Sequence, residues 1–78
     1  MEAKFDVWVT ITNQSARINV KSLREKLKKY NAVVSRTGER VAVFARLDTY
    51  SATLDEFIKA CREYGDISVM ARMARTHY

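Results

Sequence analysis

Seventy-eight residues amount to one domain, near the lower size limit for folding without disulfides or metals. A hydrophobic fraction of 47% excludes a disordered chain, and no apolar run approaches the ~20 residues of a membrane span. A net charge of +5 suits nucleic acid, an acidic or nucleic-acid-associated protein or an anionic membrane surface, with simple solubility as the plainer reading.

The first residues, Met1-Glu2-Ala3-Lys4-Phe5-Asp6, lack the basic-then-apolar layout of a signal peptide, so a cytoplasmic protein is expected. Phe5 to Ile11 alternates strictly and is rich in β-branched and aromatic residues, which predicts a strand. Phe5, Val7, Val9 and Ile11 share one face of it, and Asp6, Trp8 and Thr10 the other. A polar loop, Thr12 to Arg17, follows. Asn19 is a good helix N-cap, with Ile18 placed to pack on Leu23 as a hydrophobic staple. Val20, Leu23, Leu27 and Tyr30 recur at helical spacing, and Asn31 can end the helix in a left-handed conformation. Arg17 and, along one line of this helix, Lys21, Arg24 and Lys28 form a basic patch whose default role is a solvated face.

Ala32 to Ser35 reads as a short strand, joined through Ser35-Arg36-Thr37-Gly38-Glu39 to a second alternating run, Arg40 to Leu47. Val41, Val43, Ala45 and Leu47 take one face of that run; Arg40, Ala42, Phe44 and Arg46 take the other. Thr53-Leu54-Asp55-Glu56 matches a capping box and predicts a second helix from Thr53. Its buried stripe is Leu54, Phe57, Ile58, Cys61 and Tyr64, and Gly65 supplies its C-terminal cap. Ile67 to Met73 is the last strand, with Ile67, Val69, Ala71 and Met73 on the core side, and Ala74 to Tyr78 is a frayed tail.

The elements therefore run βαββαβ. The expected fold is α+β, a ferredoxin-like sandwich over residues 1–78: a four-stranded antiparallel sheet with two helices on one face. Each helix has one apolar stripe, and right-handed crossovers put both on the same side with the first and third strands central. The other sheet face is left bare. It should display Trp8, Phe44, Arg40, Arg46, Met70 and Arg72, with Asp6 and Thr10 nearby. Aromatic rings interleaved with arginines on an open sheet can stack on unpaired bases while guanidinium groups meet phosphates.

Those residues resemble the RNA-recognition motif in one respect: that family has the same strand order and carries aromatics on its first and third strands. The resemblance implies single-stranded RNA reading by Trp8 and Phe44. It covers the topology of the chain but little of the family's motif. The third strand there has a basic-Gly-aromatic run with further aromatics at alternate positions. Here it reads Arg40-Val41-Ala42-Val43-Phe44-Ala45-Arg46, with Ala42 where another aromatic would stand, and the chain is not assigned to the family on this basis.

The charge is unevenly spread. From Arg17 to Arg46 there are nine basic residues against Glu25 and Glu39, and from Leu47 to Asp66 five acids against Lys59 and Arg62. The single Cys61 and single His77 provide no metal set, and no nucleophile is paired with a base, so neither enzyme nor cofactor is expected. A phosphate site in the glycine-free Thr12 to Arg17 loop ranks third. The leading expectation is a non-enzymatic binding module that engages single-stranded nucleic acid or a ribonucleoprotein through the open face. The alternative is a protein-interaction domain, a small inhibitor or adaptor such as a phage protein that blocks a host nucleic-acid machine, or a homodimer through that face.

Overall fold

The computed structural model describes residues 4–48 and 51–74. Lys4–Thr12 forms β1, Val20–Lys26 forms α1, and a 3-10 turn covers Lys28–Tyr30. Val33–Thr37 is β2, Arg40–Asp48 is β3, Ser51–Arg62 is α2 and Asp66–Ala74 is β4. The class is α+β, with one four-stranded antiparallel sheet in the order β2-β3-β1-β4. The inner strands are β1 and β3; the edges are β2 and β4. Nine residues of β1 pair without interruption with β3 on one side and β4 on the other, from Lys4↔Asp48 and Lys4↔Ala74 to Thr12↔Arg40 and Thr12↔Asp66.

Because strand side chains alternate, the odd-numbered residues of β1 and β3 fall on one face. Val7, Val9, Ile11, Val41, Val43, Ala45 and Leu47 are buried there with Leu23 and Leu27 of the α1 segment and Phe57 and Cys61 of α2. One apolar cluster holds all of them, so both helices cover the same face. Phe57 is the largest fully buried side chain, and Tyr30 meets its ring edge-on at 5.3 Å.

Asn19 caps α1 as its sequence position predicts, its side chain accepting from the Ser22 amide at 3.0 Å. Ile18 and Leu23 both join the core. The helix itself is shorter than the periodicity suggests. After Lys26 the chain tightens into the 3-10 turn, where the Tyr30 and Asn31 amides bond to Leu27 and Lys28 carbonyls that an ending helix leaves unpaired. Asn31 then turns out of it in the left-handed region, at φ 54°.

The hairpin between β2 and β3 is closed by two residues. Gly38 has φ 63°, Glu39 keeps an ordinary negative φ, and Thr37 faces Arg40 across the turn. As a result β2 lies at Val33–Thr37, one residue later than expected at its start and two at its end. The second helix starts at Ser51, so Thr53 is its third residue and not its N-cap; the residues before Ser51 lie outside those described. At its far end Gly65 is required by contact. A Cβ there would lie 2.5 Å from the Thr12 carbonyl oxygen, and its φ of 156° is one that side-chain-bearing residues rarely adopt. This close approach joins the end of α2 to the end of β1, where Asn13 Nδ2 donates to the Tyr64 carbonyl at 3.0 Å.

Two further expectations need correcting. Ala74 closes β4 rather than opening a frayed tail, and residues 75–78, with His77, lie outside those described. Val69 and Ala71 share the helix-side face of β4, as their pairing with Val9 and Val7 requires, yet both are exposed, Val69 by 40%. The second helix reaches β4 and Ile67 packs against the core, but Val69 and Ala71 further along the edge strand are left uncovered.

Candidate functional site

The bare face is built from the even-numbered residues of β1, β3 and β4 and the odd-numbered residues of β2. Pairing across strands arranges them in rows. One row crosses the whole sheet: Val33↔Phe44, Phe44↔Trp8 and Trp8↔Met70. All four are apolar. Trp8 and Phe44 are half-buried against each other, ring centroids 5.2 Å apart and planes at 49°, while Val33 and Met70 at the ends are 63% and 66% exposed. Sequence reasoning missed Val33, although a signal was present. Counting back from the Gly38-Glu39 turn, with Thr37 opposite Arg40, puts Ser35 opposite Ala42 and Val33 opposite Phe44.

The next row is charged: Arg46↔Asp6↔Arg72. Asp6 is 7% exposed and accepts a forked pair from Arg46, with Nε to Oδ1 at 2.7 Å and Nη2 to Oδ2 at 3.4 Å. That bond holds the Asp6 carboxyl below its usual range despite the opposing cost of burial, and it raises Arg46 in turn. The Arg72 guanidinium lies 5.4 Å from the centroid of the Trp8 ring, within cation–π range. Arg46 thus has its charge met within the protein, and Arg72 covers part of the indole.

On the far side of the aromatic row lie two small polar rows, Ser35-Ala42-Thr10-Ser68 and Thr37-Arg40-Thr12-Asp66. Thr10, Thr12, Arg40, Asp66 and Ser68 line a shallow hollow there. Arg40 is therefore on the expected face but four residues along β3 from Phe44, roughly 13 Å at strand rise.

The secondary basic patch does not assemble as one line. Lys21 and Arg24 lie on α1, but Lys28 belongs to the 3-10 turn. Arg24 Nη2 reaches across to the Val34 carbonyl at 3.1 Å, and Arg17 is exposed in the loop before α1. Neighbouring lysines pair with α2 instead: Lys26 with Glu63, and Lys29 with Glu56 at 3.9 Å. The Thr12–Arg17 loop borders a polar hollow with Arg36 and Glu39. Its Ser15 and Ala16 amides, which a phosphate would need, both donate to Asn13 Oδ1, and Arg36 donates to the Ile18 carbonyl. Cys61 is fully buried, and burial raises its thiol pKa to about 11, so it is protonated at neutral pH.

No helix among the described residues is long and apolar enough to cross a membrane. No family model, curated protein or solved structure matches the chain. The reading of this face therefore rests on its own chemistry.

Proposed function

We propose that the chain is a non-enzymatic binding module, a ferredoxin-like sandwich whose bare sheet face takes single-stranded nucleic acid. The observation that carries this is the half-exposed pair Trp8 and Phe44, set side by side on the two inner strands with a guanidinium over the indole. Every base has a π-face, and stacking on such a pair is worth about 1–3 kcal/mol per base. Arg72, which covers part of the indole, would swing aside for a stacking base and meet its phosphate, and Arg40, with the hydroxyls of Thr10, Thr12 and Ser68, suits a backbone passing along the adjacent hollow.

The pairing of Arg46 with Asp6 bears on how strongly binding should depend on salt. A count of three arginines suggests steep salt dependence, but only Arg40 and Arg72 are left for phosphates. The affinity should then fall with salt at a log–log slope of about −1.4, the value for two contacts on a single strand. The test is titration with short RNA and DNA oligonucleotides, read by tryptophan fluorescence and by the NMR signals of Trp8 and Phe44. Quenching with shifts confined to this face is the expected result. Unmoved signals at saturating oligonucleotide would end the proposal.

A second reading is favoured by Val33 and Met70, which extend the apolar row beyond the aromatics at high exposure. A row spanning the sheet, with Arg46 beside it paired to Asp6, also suits a protein partner. Substituting Val33→Ser together with Met70→Ser separates the two, because base stacking on Trp8 and Phe44 should survive it while a protein contact should not.

A further inference from the structure

The two edges of the sheet are unlike. At β2 the edge is short, Val33–Thr37, and carries a charged residue on its core side, Arg36, tied to the Ile18 carbonyl. The residues flanking a two-residue turn bond to each other, so Thr37 and Ser35 point their backbone groups at β3 and Val34 points its own outward. Arg24 occupies that outward carbonyl. These are devices that keep an edge from recruiting another strand.

At β4 such devices are missing. The strand runs nine residues, Asp66–Ala74, in unbroken register with β1, and contains no Lys, Pro or Gly. Carrying the bonding alternation across the sheet, the even-numbered residues of β4 bond to β1. Ile67, Val69 and Ala71 then present their N–H and C=O groups to the free edge. Val69 on the helix side and Met70 on the open side are both exposed apolar groups.

We infer that β4 pairs with β4 of a second copy, antiparallel about a two-fold axis through Val69. In that register Ile67 faces Ala71 of the second copy and Val69 faces its own equivalent, and these pairs exchange both backbone bonds. Asp66 falls opposite Arg72 of the second copy, twice by symmetry, at a non-hydrogen-bonded position where side chains approach most closely. A shift of two residues in either direction removes Asp66 from Arg72, so charge complementarity selects this register. The row then alternates in sign across the interface: Arg46, Asp6, Arg72, then Asp66 of the second copy. The axis stands normal to the sheet, so both aromatic rows lie on one side of a continuous eight-stranded surface. The pairing takes Arg72, which also flanks the aromatic row, into the interface, and association measured without nucleic acid tests it apart from oligonucleotide binding.

Sedimentation equilibrium over a wide concentration range should show a wild-type dimer. Asp66→Arg alone and Arg72→Glu alone put like charges opposite each other and should each raise the dimer dissociation constant roughly tenfold or more. An equimolar mixture of the two variants restores opposite charges at both positions and should associate close to wild type. Hydrogen exchange on the wild type gives a readout free of variants: the Ile67, Val69 and Ala71 amides should gain protection as concentration rises. A wild type that stays monomeric would overturn the inference. So would dimerisation unchanged in both single variants, or a mixture no tighter than either variant alone.

Discussion

The two faces of this sheet come from the same strands and differ by one position in register. On one side Val7, Val9, Ile11, Val41 and Val43 are sealed beneath two helices. On the other, Trp8, Phe44, Met70 and Val33 form an equally apolar row with no described element over it. The contrast shows that apolar character alone does not distinguish a core from a binding surface. What separates them is which side the amphipathic helices require. Leu23, Leu27, Phe57 and Cys61 need one sheet face, and once they have taken it the aromatic row is left over.

That comparison can be broken or sharpened by substitution. The largest effect is expected on the covered side. Phe57→Ala empties the largest fully buried site and should cost about 3–5 kcal/mol, a large share of the stability of a domain this small. Urea unfolding measures it, and a cost near that of a surface substitution would show that the core is not where the burial places it. Trp8→Ala should behave in the opposite way. It removes one contact with Phe44, worth about 1 kcal/mol of stability, and should cost about 1–3 kcal/mol of oligonucleotide affinity for each base lost. If unfolding suffers more than binding, the open row is a second core and not a platform.

The smallest effect tests the ion pair beneath the row. The Asp6 carboxyl is held below its usual 3.8 chiefly by the Arg46 hydrogen bond, so its contribution is fully present above that value. It is lost as pH falls through the depressed folded value, because the unfolded chain takes up the proton first. Thermal midpoints of wild type and Asp6→Asn should therefore differ at neutral pH and converge in acid. A gap that stays constant with pH would mean that Asp6 and Arg46 are not coupled.

Much of this molecule is readable from particular residues. Alternation in Phe5–Ile11 and Arg40–Leu47 and the Asn19 cap each report a local preference, and local preferences survive into the folded chain. Trp8, Phe44, Arg46, Met70 and Arg72 could be assigned to one face for the same reason, since a strand has only two. Two local readings did not carry over. Thr53 looks like a cap from its neighbours alone, yet the helix starts two residues earlier. Val69 and Ala71 have the pattern of core residues, but their burial depends on how far two helices reach across four strands.

The sequence by itself determined the α+β class, the four strands and two helices, and which residues share each face, because periodicity and capping act over a few neighbouring residues. Only the tertiary structure decided that Asp6 meets Arg46 and that Arg72 lies over the Trp8 ring. Those facts depend on register between strands far apart in the chain, which hydrogen-bond pairing sets and composition does not carry.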